Sequence, residues 1–367
     1  MKKVAVIGAG IVGSAAAYYL SKETDLEVTV FDDGAGQASK AAAGIICPWF
    51  SKRRNKSWYR LARLGADFYQ TLVSDLQADN IKTDFYDQAG VFLLKKKDSS
   101  LEELYELAKK RREQSPLIGQ LSLQSRSNLP ADLADLNGFD RLLYASGAAR
   151  VEGSVLTKTL LAASRAEIIR KRVSLNVSSD GNYWVSDKLF DAVFLACGAW
   201  LPQILKPLGY EVDIRPQKGQ LRDYFFKDSH TGDYPVIMPE GELDIIPFAG
   251  GKVSIGATHE NEQGFDLCID SRLLDALERE AQTYFPKLNE AYSKSERVGT
   301  RAYTSDFSPF FGQVPQLKKV YAASGLGSSG LTSGPLIAYQ LVQQFLHKEL
   351  LLPADDYSPN NYIVKGS

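Results

Sequence analysis

The chain reads as an α/β protein in which a parallel sheet, assembled from separated segments, is joined to a second α+β domain built on an antiparallel sheet. Three observations predict this. The chain opens with an apolar run, the turn GAGIVG (Gly8 to Gly13), a helical stretch and a second apolar run ending in acid. Far along the chain FDAVFLACGAW (Phe190 to Trp200) repeats that logic, an apolar strand closing on Gly198 at a strand-to-helix turn. After it come four short stretches separated by turn residues between Leu221 and Ala257, which read as antiparallel strands.

With 367 residues the chain is too long for one simple core and fits two domains sharing a cleft. Lysine plus arginine (43) nearly balances aspartate plus glutamate (44), so no basic field exists to hold nucleic acid or an anionic membrane. Small molecules are the expected partners. Cys47, Cys197 and Cys268 are odd in number and far apart, which argues against a disulfide framework, and His230, His259 and His347 lack ligand spacing. No structural metal is expected. Strand residues follow the N-terminus directly, and no apolar run reaches the roughly eighteen residues of a transmembrane segment, so the expected location is cytoplasmic.

Taken in order, Val4 to Ile7 is the first strand. Gly8 lets the chain leave it in a conformation that side chains forbid, Gly10 lets backbone approach a pyrophosphate, and Gly13 lets helix and strand pack closely. Free N–H groups at the helix start and the helix dipole favour a diphosphate there. Ala15, Ala16, Tyr19 and Leu20 supply the helix's buried face. Val28 to Phe31 is the next strand, and Asp32 stands about 20 residues past the glycines, where a carboxylate accepts from ribose hydroxyls.

The small-residue loop GAGQASKAAAGIICPW (Gly34 to Trp49) lets backbone approach something flat and large. The basic SKRRNK then leads into an amphipathic helix with Tyr59, Leu61, Leu64, Phe68 and Leu72 inward. From Thr83 the pattern changes: Phe85, Tyr86 and Val91 to Leu94 cluster around Ala89-Gly90 as short antiparallel strands, opening a different domain. Leu101 to Glu113 is a charged helix, Asn128-Leu129-Pro130 and Asn137-Gly138 punctuate loops, and Ala148 to Ser164 offers a helix. Strand residues follow at Ile168, Ile169 and Val173, and then from Leu189 to Ala196.

Arg215-Pro216 and Gly219-Gln220 mark a crossing, after which Leu221 to Phe226, Pro235 to Met238, Leu243 to Pro247 and Lys252 to Ala257 are the four short strands. Asp270 to Phe285 is an amphipathic helix. Two last stretches carry chemistry: GTRAYTSDFSPFFG (Gly299 to Gly312), with Arg301 and Asp306, and AASGLGSSGLTSGP (Ala322 to Pro335). The second reads as a strand, a Gly/Ser turn and a helix from about Thr332 with Pro335 in its first turn, a second positive dipole end facing a ligand.

With these stretches in view, the sequence resembles the flavin-dependent amino-acid oxidase and dehydrogenase family, which includes D-amino-acid oxidase, glycine oxidase, sarcosine oxidase and D-amino-acid dehydrogenase. The resemblance rests on GAGIVG with Asp32, the loop ending in Ala43-Gly44, ACGAW (Ala196 to Trp200), RPQKGQ (Arg215 to Gln220), GATHE (Gly256 to Glu260) and the two C-terminal stretches. It implies a Rossmann-like FAD-binding domain from residues 1–82, 146–218 and 298–367, and a substrate domain from 83–145 and 219–297. FAD would be noncovalent, since no cysteine stands near 310–320. Carried over by position, its contacts are Gly8, Ala9, Gly10, Ile11, Val12 and Gly13 at the pyrophosphate, Asp32 and Asp33 at the ribose, and Ser39, Lys40, Ala43, Gly44 and Ile45 towards the flavin. Val173, Ala196 and Gly198 would serve the adenine side, and Gly325, Gly327, Ser328, Ser329, Gly330, Leu331 and Thr332 the pyrimidine ring.

Arg301 matches the arginine with which relatives hold a substrate carboxylate, and a guanidinium is a planar fork suited to that group. The implied reaction oxidises a small amino acid or N-methyl amino acid at its C–N bond by hydride transfer from Cα to flavin N5, followed by imine hydrolysis, with oxygen, a quinone or a dye as electron acceptor. A structural salt bridge from Arg301 to Asp306 is the competing reading. Where relatives often carry a tyrosine before the proline matching Pro247, this chain has Asp244-Ile245-Ile246, so a second substrate-reading group is open, with Tyr303 and Tyr224 as candidates. Lys218 and Lys252 could approach the flavin. A 2-hydroxy-acid oxidoreductase, a non-catalytic flavin-binding assembly module and an NAD-dependent dehydrogenase are the rival functions.

Overall fold

The computed structural model describes residues 1–130, 133–178, 181–227 and 230–366. Its first layer is a six-stranded sheet in the order Phe310–Gln313, Val320–Ser324, Ala192–Leu195, β1 (Lys2–Ile7), β2 (Leu26–Phe31) and Glu167–Ile169. All pairs are parallel except the first, so the N-terminal, middle and C-terminal segments do meet in one sheet. Register then decides where the turns lie. Ile7 stands opposite Leu195 and Leu195 opposite Ala322, so the turns at Gly8, Gly198 and Gly325 leave the sheet at one edge. Helix α1 (Ile11–Leu20) is buried along its whole length and packs against the helices Gly153–Ser164 and Gly330–Phe345.

The second layer is an eight-stranded sheet in the order Ser293–Tyr303, Arg215–Phe225, Lys252–Gly256, Asp244–Phe248, Val236–Met238, Val91–Leu93, Arg141–Ala145 and Leu121–Ser125. Its pairs are antiparallel save Val236–Met238 with Val91–Leu93. The four short strands expected between Leu221 and Ala257 are present, the first lengthened backwards to Arg215. The boundaries expected at 218/219 and 297/298 would fall inside the two longest strands, Arg215–Phe225 and Ser293–Tyr303. A three-stranded sheet of Ile45–Ile46, Ala149–Val151 and Tyr86–Asp87 ties the layers together.

Several local readings change. Ala149–Val151 is a strand and the helix starts only at Gly153, because the buried Arg150 guanidinium reaches across to Asp87 and to the carbonyls of Gly232, Tyr234 and Pro247. An extended backbone is what lets one side chain serve both sheets. Tyr86–Asp87 and Val91–Leu93 do not pair with each other but join different sheets, separated by Gly90. The apolar stretch from Leu189 breaks at Asp191, whose carboxylate accepts from the Lys3 N–H at 2.7 Å, into Lys188–Phe190 and the parallel strand Ala192–Leu195. Val173 lies in a loop. In the helix Lys56–Ala78, Leu61, Phe68 and Leu72 are buried while Tyr59 and Leu64 are half-buried.

The last helix begins at Gly330 rather than near Thr332, which puts Pro335 past the first turn. Proline has no N–H to give the Leu331 carbonyl one turn back. The buried Tyr69 hydroxyl supplies that bond instead, donating to the Leu331 carbonyl at 2.6 Å. Tyr69→Phe is expected to cost about 1–2 kcal/mol of stability by leaving that carbonyl unpaired. In a Pro335→Ala background, where an N–H returns, the same change is expected to cost much less, and thermal melts of the four proteins measure the coupling.

Candidate active site

A cavity of about 600 Å³ opens between the turn-bearing edge of the parallel sheet and one face of the eight-stranded sheet. At one end, Gly8 (φ +104°) turns the chain out of β1 so closely under the next strand that a Cβ would sit 2.3 Å from the Ala196 carbonyl oxygen. Only glycine fits both constraints. Gly10, the residue before α1, has no side chain to cap the helix, and Gly10, Ile11 and Val12 at this helix start line the cavity. Ser39 Oγ accepts from the Ile11 N–H at 2.9 Å, which fixes the small-residue loop against the helix start. Asp32 accepts from the Ala9 N–H through one oxygen, and from the Gly34 N–H and Gln37 Nε2 through the other, each at 2.6 Å.

At the other end the turn through Gly327 leads into the helix Gly330–Phe345, whose start also lacks a side-chain cap. Tyr303 packs so tightly on this turn that a Cβ at Gly327 would be 2.1 Å from its ring. On the cavity wall Gln37 Oε1 is buried and has no hydrogen-bond partner among the described residues. Two glycine-built helix starts, a carboxylate one strand away and an unmatched polar atom on the wall fit FAD. The diphosphate would lie at α1, a ribose at Asp32 and the pyrimidine ring near the second helix start. Among the described residues no group of His, Cys, Asp or Glu is arranged to hold a metal ion, and no helix is long and apolar enough to cross a membrane.

The face of the eight-stranded sheet that closes the cavity is set by alternation. On Arg215–Phe225, Gly219 and Leu221 point into the cavity, whereas Arg222 points away, to Asp275 and Glu278 of the helix Ser271–Tyr284. Arg301, opposite Gln217, shares the cavity face. Its guanidinium lies flat over Gly219, where a Cβ would come within 2.4 Å of Nη1. It donates to Gln217 Oε1 at 3.1 Å and to the Thr258 carbonyl at 2.9 Å, and among the described residues no carboxylate pairs with it. Burial lowers its pKa, opposed by Tyr303, Glu242 and Glu260. Asp306 is engaged elsewhere, accepting from Thr304, Ser308 and Tyr362, so the salt bridge to Arg301 does not form.

Of the other residues named from sequence, Gly8, Gly10, Ile11, Val12, Asp32, Asp33, Ser39, Ala43, Gly44, Ile45, Val173, Ala196 and Gly198 line the cavity, as do Gly327, Ser328, Ser329, Gly330, Leu331 and Thr332. Ala9, Gly13, Lys40 and Gly325 do not; Gly13 is pressed against the Gly8 carbonyl, and Lys40 contributes only its own carbonyl, to Arg297. Tyr303 supports the Gly327 turn from behind. Tyr224 is excluded outright: it pairs with Lys294 on the opposite face of the sheet, with the Lys294 amine 5.2 Å over its ring. Lys218 is on that face too, bonded to Asp266 at 2.8 Å, and Lys252 is held by Glu152 and Asp223.

Sequence reasoning gave no role to three side chains on the wall: Gln37, His259 and Asp244. His259 Nδ1 lies 3.5 Å from Glu242, and burial together with Arg301 lowers its pKa. Asp244 is walled in by protein while its carboxylate faces the cavity, and this burial raises its pKa to about 7 against a weak opposing effect of Lys95. The one available signal was its place in Asp244-Ile245-Ile246, ahead of Pro247, where relatives often carry a tyrosine.

A family profile described as "FAD dependent oxidoreductase" (DAO) matches residues 3–344. The chain is 39% identical over 375 residues to "Uncharacterized oxidoreductase YurR" of Bacillus subtilis (strain 168), spanning 98% of this chain and 99% of that one. It is 26% identical to a glycine oxidase of Pseudomonas aeruginosa, spanning 98% of each. Among solved structures, iminodiacetate oxidase from Chelativorans sp. BNC1 superposes with a TM-score of 0.91 at 29% identity, over 97% of this chain and 98% of that one.

The raised carboxyl of Asp244 has a consequence for stability. The native state holds its proton to about pH 7, well above the ordinary 3.8, so native stability falls as pH rises from 4 to 7 and is level beyond. Asp244→Asn is therefore expected to raise the melting temperature relative to the parent by an amount that is absent near pH 4, grows to pH 7 and then stays constant. A difference independent of pH across that range would contradict this.

Proposed function

The chain belongs to the FAD-dependent oxidoreductase (DAO) family, and from that premise we propose that it oxidises a small amino acid or N-methyl amino acid at its C–N bond. The observation that carries this reading is a half-buried guanidinium, Arg301, with no carboxylate partner among the described residues, in the same cavity as the glycine-built helix starts. Bound FAD supplies the two-electron oxidation, which no side chain of the protein can perform. The protein's part is to hold the acid and to keep water out.

Gln217 and the Thr258 carbonyl orient Arg301 through one nitrogen, leaving its remaining N–H groups for a carboxylate. Gly219 beneath allows the guanidinium to lie parallel to the sheet. Leu221, Met238, Trp58 and Leu326 supply apolar wall around the same volume, which strengthens the ion pair by excluding solvent. The names of the glycine and iminodiacetate oxidases add support, since both substrates join an amine nitrogen to a carboxylate through one carbon. FAD is held noncovalently in this reading: Cys47 and Cys197 line the cavity, but burial raises both thiol pKa values, Cys197 to about 12, which keeps them unreactive. The electron acceptor is oxygen or a quinone, and the cofactor and substrate domains divide within the two longest strands.

Purified protein is expected to be yellow and to bleach anaerobically with members of an amino-acid panel. Bleaching by 2-hydroxy acids alone would replace this reading with hydroxy-acid oxidation. Arg301→Ala is expected to keep its flavin and raise the half-saturating substrate concentration by about 10- to 100-fold, the value of charged hydrogen bonds lost. Gly219→Ala, which displaces the guanidinium without removing it, should act in the same direction and more weakly.

A further inference from the structure

We propose that Asp244 reads the substrate's amine, so that the cavity selects zwitterions by gripping carboxylate and ammonium from two places on one sheet. This rests on the amino-acid reading above and names the group that makes it specific. Alternation puts the residue on the right face: Asp244 stands opposite Gly256, Gly256 opposite Leu221, and Leu221 and Asp244 both line the cavity with Arg301.

The spacing suits a small amino acid. The Arg301 guanidinium lies over Gly219, and Asp244 is two strands across and two residues along from that glycine. With strands about 4.8 Å apart and a rise of about 3.4 Å per residue, the two backbone positions are roughly 12 Å apart, and both side chains rise from the same face. An α-amino acid, with about 3 Å from carboxylate oxygen to nitrogen and a hydrogen bond of about 2.8 Å at each end, spans roughly 9 Å of that distance.

Charge points the same way. Among the described residues the Asp244 carboxylate has neither a hydrogen bond nor an ion pair, and an acid enclosed in protein without a cation is costly. Around it stand Lys95, which acts only at a distance, the Cys47 thiol, kept neutral by burial, and Glu242, which faces His259. None of these offers a close cation. A substrate ammonium would, whereas a deaminated acid would leave the carboxylate as it is, and a second substrate carboxylate would be repelled.

The test uses holoenzyme and the shift of its visible flavin spectrum in anaerobic titrations, comparing each amino acid with its deaminated acid: glycine with acetate, and D- and L-alanine with propionate. At pH 8 the parent is expected to bind at least one amino acid about 10-fold or more tightly than its deaminated partner. Asp244→Asn is expected to erase that preference while leaving acetate and propionate affinity within about twofold, and Asp244→Glu to restore part of it. The preference should fade below pH 7 in the parent and be flat with pH in Asp244→Asn. No preference in the parent, or a preference that survives Asp244→Asn, overturns the proposal. Bleaching by amino acids with an Asn-insensitive preference keeps the oxidase reading and removes Asp244; an Asp244-dependent preference without bleaching by any amine keeps Asp244 and removes the oxidase reading.

Discussion

The ladder between Arg215–Phe225 and Ser293–Tyr303 is the joint on which the cavity depends. It pairs eleven residues with eleven without a break, so a single register sets every position along it. Near one end, the Thr300 N–H donates to the Gly36 carbonyl at 2.9 Å and Gln37 bridges Thr300, which anchors the small-residue loop to the edge of the substrate sheet. Arg301 is the next residue. The group that would hold a substrate is thus one peptide away from the group that holds the small-residue loop.

Buried charge separates scaffold from site. Arg297 pairs with Asp223 and donates to the Lys40 and Ala42 carbonyls; Arg150 spans Asp87 and three carbonyls; Lys252 sits between Glu152 and Asp223. Each of these cations has its partner inside the protein, as the cost of burying charge demands. They tie the eight-stranded sheet to the small-residue loop and to the three-stranded sheet. Arg301 and Asp244 break the rule from the same face of the same sheet, and a carboxylate pKa near 7 is the electrostatic sign of that exception. Groups left unpaired in a rigid, otherwise satisfied surround are preorganised for a ligand of opposite charge.

Much of this was readable as pattern. The turn at Gly8 needs a positive φ and the next strand crosses at contact distance, so glycine there follows from sterics and could be inferred from spacing alone. Many of the residues carried over from the family resemblance line the same cavity. Substrate-facing residues were harder, because an antiparallel sheet sorts side chains by parity. Tyr224 and Leu221 are three residues apart in one strand and end on opposite faces, and a one-residue change in register would have exchanged them. Residues 148–164 misled for a related reason, since nothing local to Arg150 announces carbonyls contributed from residues 232, 234 and 247.

By itself the sequence determined the chemistry of the two helix starts, the acid beside the first, and the presence of an arginine suited to a carboxylate, because each is a local demand on backbone conformation or functional group. Only the tertiary structure decided that Asp32, Arg301 and Asp244 look into one volume, that Asp306 and Tyr224 do not, and that Arg301 lacks an ionic partner. Facing and partnership are settled by strand register and sheet packing among residues as far apart as Val4 and Ala192, and a linear pattern carries no record of either.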